Sequence, residues 1–94
     1  RMPCSAKGQA DALSTLSEMA NHEHQNSPVE YKTVQVKFEN GDIGAVDVHA
    51  SMSNFEKASA WMDGDKKWQG LFASILASCE TSLEAMKIKV LSVQ

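Results

Sequence analysis

The chain has 94 residues, twelve acidic against nine basic side chains, and a net charge of −3. That length allows one domain, residues 1–94, with a single small core. A weak, scattered negative charge argues against nucleic-acid binding, where positive charge supplies most of the affinity. No apolar run approaches the roughly 20 residues that span a bilayer.

The N-terminal R-M-P-C-S-A-K lacks the apolar stretch of a signal peptide. With Met2 as the natural start, the chain is expected to be cytoplasmic. In a reducing compartment Cys4 and Cys79 are then free thiols, Cys79 as a buried packing residue and Cys4 near a mobile end.

The first element is an amphipathic helix from about Ser5 to His24. Ala6, Ala10, Leu13, Leu16, Met19, Ala20 and Glu23 recur at spacings of three and four. The apolar face is thin, since three of its six apolar members are alanine. Ser5 can cap this helix. Gly8 costs about 1 kcal/mol relative to Ala inside a helix, which moves the effective start toward Gln9. Gln25–Pro28 reads as a turn, because Asn26 and Ser27 bond their own backbone and Pro28 cannot continue a helix.

Two strands follow, from about Val29 to Phe38 and from Asp42 to Ala50, joined at Asn40-Gly41. Asn-Gly between alternating apolar runs is a strong hairpin signal. A two-residue turn pairs Phe38 with Ile43 and Val34 with Asp47. A three-residue turn with Gly41 as a left-handed bulge pairs Phe38 with Asp42, Val36 with Gly44 and Val34 with Val46. One slip exchanges the two faces. The bulged form is preferred because it gathers Val34, Val36, Val46 and Val48 on one apolar face.

Ser53-Asn54-Phe55-Glu56 fits a capping box for a short helix carrying Phe55, Ala58, Trp61 and Met62. Asp63-Gly64-Asp65 interrupts it, and Asp65 can cap the next helix. Trp68, Leu71, Phe72, Ile75, Leu76 and Cys79 form the best helical stripe in the chain, with an extension toward Ala85 through Leu83. From Met86 to Val93 the alternation predicts a third strand. The expected fold is therefore α+β, in the order α-β-β-α-α-β. It has a three-stranded, mainly antiparallel sheet with helices packed on one face, the third helix across the valines.

Chemistry is sparse. His22-Glu23-His24, with His49 elsewhere, is the one cluster of metal-ligand type, but side chains two apart on a helix point about 200° away from each other. A solvated helix end is the plainer reading, and no metal or cofactor is expected. Asp63-Gly64-Asp65 lacks the further oxygen ligands of a calcium loop, having Lys66 and Lys67 instead. Trp61 beside that turn, with Asp63 and Asp65, makes a candidate partner-binding knuckle, since Trp is enriched at interface hot spots. Trp68 belongs to the core stripe.

Serine elbows and phosphate cradles are absent from the sequence. Asp47 and His49 share a strand face and form the one acid–base pair an enzyme could use. The outward strand face, with Tyr31, Thr33, Gln35 and Lys37, offers too little stacking surface for RNA.

The expected function is a non-catalytic protein-interaction or regulatory module. Its partner is another protein or a second copy of itself. Leu91 and Val93, opposite Ile88 and Val90 on the third strand, leave an apolar edge that wants a neighbour, and a homodimer follows. A small-molecule pocket between sheet and helices is the alternative. An enzyme using Asp47 and His49 is a more distant one.

Overall fold

A computed structural model describes residues 1–91 of the chain. A short 3₁₀ turn, Ala6–Gly8, leads into α1 (Gln9–Asn26). Then come β1 (Tyr31–Lys37), β2 (Ile43–His49), α2 (Met52–Gly64), α3 (Lys66–Cys79) and a second 3₁₀ turn, Leu83–Ala85. The delayed helix start has a steric reason. Gly8 is buried, and a Cβ there would lie 1.6 Å from the Ser78 carbonyl oxygen. Ser5 makes no capping bond; its hydroxyl donates to the Ser78 carbonyl at 3.3 Å.

The hairpin adopts the bulged register. Val34 pairs with Val46 and Val36 with Gly44. Phe38 N donates to Asp42 O at 2.9 Å, and Gly41 sits at φ +93°, where glycine is favoured. The side-chain carbonyl oxygen of Asn40 accepts from Asp42 N at 3.1 Å, which tightens the turn.

The four valines share a face, but no helix among the described residues covers it. Val34, Val46 and Val48 remain 58%, 53% and 57% exposed. The helical layer lies on the other face instead. Ile43 is fully buried there, and Gln35 reaches α1, donating to Leu13 O at 3.2 Å and Ser17 Oγ at 2.7 Å. The stripe of α3 is spent on α1 rather than on the sheet. Ala12, Leu16 and Met19 from α1 join Ile43, Ile75, Cys79 and Met2 in one buried cluster, with Trp68, Leu71, Phe72 and Leu76 packed around it.

The expected third strand is corrected: among the described residues the sheet has two strands, in element order α-β-β-α-α. Residues 86–91 form no strand. The edge of β2 is already taken at Ile43, which exchanges backbone bonds of 2.8 and 3.0 Å with Met2. Lys87 pairs with Arg1 instead, through bonds of 2.8 and 2.9 Å, one strand further out. Val93 lies outside the described residues.

A disulfide between Cys4 and Cys79 holds this arrangement, so the expectation of two free thiols is overturned. Cys4 is not on a loose end. Ser5 N donates to Cys79 O at 3.0 Å, and Met2 is buried against Ile43, so the segment is fixed on both sides of Cys4.

Helix ends follow local chemistry. The cap of α2 is Ser51 rather than Ser53: its hydroxyl accepts from Asn54 N at 3.1 Å. Asp65 caps α3 as expected, accepting from Trp68 N at 2.9 Å. α3 stops at Cys79 and does not reach Ala85. Glu80 takes the left-handed conformation, φ 57°, while Glu80 N and Thr81 N close on Ala77 O and Leu76 O. None of the helices among the described residues is long and apolar enough to cross a membrane.

Candidate functional site

The chemistry of the molecule gathers where the C-terminal end of α1 meets the open end of the hairpin and the α2–α3 turn. Ala12, Leu16, Met19 and Glu23 follow the 4-3-4 spacing that lines one helix face. The first three are core residues. The fourth carries a carboxylate into the same row, and Glu23 is only 5% exposed.

A buried carboxylate is costly without donors. Two reach it, and both choose Oε2: the Tyr31 hydroxyl at 2.5 Å and the Trp68 indole N–H at 3.2 Å. Burial pushes the Glu23 carboxyl above the usual carboxylate range, and the two donors offset part of that rise. Burial and the adjacent carboxylate in turn push the Tyr31 phenol well above its ordinary value.

Beside it lies a second polar contact. His22 Nε2 meets Asp65 Oδ1 at 3.0 Å, and His22 Nδ1 meets the Asn26 amide at 3.1 Å. The Trp61 ring stands 5.6 Å from the His22 ring. The Trp68 backbone N–H, and after it His22, holds the Asp65 carboxyl below the usual range. Asp65 thereby serves two elements: it caps α3 and ties the α2–α3 turn to α1.

On the hairpin side, His49 faces Tyr31 across the two strands, with ring centroids 4.6 Å apart, and meets Phe55 of α2 at 5.3 Å. Its Nδ1 is buried without a hydrogen-bond partner among the described residues. Asp47 does not orient it, because the Asp47 carboxylate takes the Thr33 hydroxyl at 2.8 Å. The Asp47–His49 pair of an enzyme is thus not assembled.

Two adjoining grooves open on this cluster. One, about 390 Å³, runs between the end of α1 and β1, with Glu23 in its wall. The other, about 460 Å³, passes over Tyr31 toward Val48 and His49. They share His24, Glu30, Tyr31 and Lys32.

The sequence-derived candidates are dispersed. Trp61 and Asp65 belong to this cluster through His22. Asp63 is exposed at the end of α2, and Leu91 is 77% exposed in the C-terminal segment. His22 and His24 diverge, one half-buried and one exposed. No group of three metal-ligating side chains forms among the described residues. Sequence reasoning missed Glu23 and Tyr31 as partners. The signal was a carboxylate at the end of an otherwise apolar row.

No family model, characterised protein or solved structure matches the chain.

Proposed function

We propose that the chain is a non-catalytic interaction module that associates with a second copy of itself through the valine face of its hairpin. The observation that carries this reading is the exposure of Val34, Val46 and Val48, each more than half open to solvent on one face of the hairpin. A contiguous apolar patch of this kind is the usual mark of an interface.

A second copy suits the face better than an unrelated partner. Lys32 stands at one end of the valine row, and the exposed Glu39 at the turn end. Stacked head to tail about a two-fold axis, the two ends bring opposite charges together. Covering the exposed half of each valine contributes about 1 kcal/mol. Six such valines supply about 6 kcal/mol, less than the roughly 8 kcal/mol of micromolar affinity. The charged ends and the rest of the face must add to them, and the dimer is weak.

The cross-link bears on the setting. Disulfides persist in oxidising compartments and are rare in the cytosol. Cys4–Cys79 therefore favours an oxidising environment over the cytoplasmic one expected from the sequence.

Light scattering coupled to size-exclusion chromatography tests the reading. At high micromolar concentration the expected mass is twice 10.3 kDa, and Val46→Lys returns it to 10.3 kDa. A wild-type chain that stays monomeric there defeats the proposal.

A further inference from the structure

The pairing pattern of the hairpin leaves one edge open. Phe38 bonds Asp42, so with a period of two Val36, Val34 and Lys32 turn their backbone groups toward β2. Tyr31, Thr33 and Gln35 turn theirs outward. On the opposite edge, Ile43 is paired with Met2. On the β1 side the outward groups meet no other backbone among the described residues. β1 contains no proline or bulge, and of the usual protections of a free edge it carries the charges of Lys32 and Lys37.

This edge borders the 390 Å³ groove beside the end of α1. A strand added along β1 would lie in that groove, its side chains alternating between the α1 side and the valine side. On the α1 side it meets Glu23. Tyr31 and Trp68 both occupy Oε2, and Oε1 has no hydrogen-bond donor among the described residues. Glu30 adds a second carboxylate to the groove wall, which His24 and Lys32 also line.

We infer that the groove between α1 and the outer edge of β1 is a binding site for an extended peptide segment of a protein partner, which adds as a strand and sets a lysine or arginine side chain against Glu23. The backbone of Tyr31, Thr33 and Gln35 supplies the pairing, and the unclaimed carboxylate oxygen supplies the preference for a cation. Residues flanking the basic one fall on the valine side and are apolar. The basic side chain runs its methylene stem along the Tyr31 ring before it reaches the carboxylate. The edge is distinct from the valine face, so this site does not depend on self-association.

The probe is the blocked peptide Ac-Thr-Val-Lys-Val-Thr-NH₂, with a second peptide carrying norleucine in place of lysine. Amide exchange on the wild-type chain is expected to slow at least tenfold at Tyr31, Thr33 and Gln35 when the lysine peptide is added. Titration followed by tryptophan emission, with Trp61→Phe to leave Trp68 as the reporter, is expected to show at least tenfold weaker binding of the norleucine peptide at neutral pH. Glu23→Gln is expected to erase that difference, and Val46→Lys to leave it intact. Unchanged exchange at the three amides in millimolar peptide overturns the inference, as do equal affinities of the two peptides. Loss of binding in Val46→Lys also overturns it, because the peptide would then sit on the valine face.

Discussion

Tyr31 donates its hydroxyl to Glu23, and this single bond joins the first residue of β1 to the last turns of α1. Trp68 donates to the same oxygen from α3, so three elements close on one carboxylate. The junction lies at the end of the molecule away from the hairpin turn and the cross-link. It does there, with polar groups, what Met2 and the disulfide do at the other end.

A buried carboxyl makes stability depend on pH, with a definite sign. Burial raises the Glu23 pKa above its unfolded value, so the folded state holds the proton more tightly. Its favourable contribution is complete below the ordinary value of 4.5 and is lost as pH rises through the elevated folded value. Melting temperature is therefore expected to fall between mildly acidic and neutral pH. Glu23→Gln, which keeps an oxygen for both donors, is expected to flatten that slope and to melt no lower than wild type at pH 7. Thermal melts across the range check this; a slope retained in Glu23→Gln would assign the dependence elsewhere.

The hairpin and the interrupted helices were readable because their signals are local. Asn40-Gly41, the strand alternation and the Asp65 cap each act within a few residues. The face that the helices cover was not readable, since both faces of the hairpin offer something to bury: four valines on one, Ile43 with Tyr31 on the other. The choice depends on Gln35 and Tyr31 finding bonds on α1, which only the assembled fold provides. The third strand failed for a similar reason. Alternation in Met86–Val90 marks a segment fit to pair, but Met2 reaches the β2 edge first, held there by a cross-link spanning 75 residues.

Asp65 behaves oppositely to Glu23. Its carboxyl is held low by the Trp68 backbone N–H and then by His22, so its contribution is present above the ordinary 3.8 and is lost as pH falls through the lowered folded value. Asp65→Ala removes the cap of α3 and the partner of His22 together. It is expected to lower the melting temperature at neutral pH by several degrees and to reduce acid sensitivity. Asp65→Asn, which can still cap, is expected to recover part of the loss; no recovery would mean that the His22 contact carries the whole effect.

Gly8 and Gly70 make a matched pair of tests. Alanine at Gly8 drives a Cβ into the Ser78 carbonyl, a backbone atom that cannot step aside without moving α3. Gly8→Ala is expected to cost about 1–3 kcal/mol through overpacking. Gly70 lies inside α3, and an added methyl there would meet nothing within 4 Å, so Gly70→Ala is expected to stabilise by about 0.5–1 kcal/mol. Denaturant titration of the two variants should therefore move in opposite directions from wild type.

The cross-link closes a loop of 75 residues in a chain whose largest fully buried side chains, among the described residues, are Ile43 and Ile75. Loop-closure entropy of that length is worth about 4 kcal/mol, a large share of what so small a core can supply. Reduction is expected to lower the melting temperature by about 15–30 °C. Cys4→Ser should do the same without reductant, and reductant should then have no further effect. The loss also has a location. Met2 is held on Ile43 from the Cys4 side, so the Ile43 amide is expected to lose exchange protection before the amides of α1 do. A melting temperature indifferent to reductant would show instead that Met2 and Ser5 anchor the N-terminal segment without covalent help.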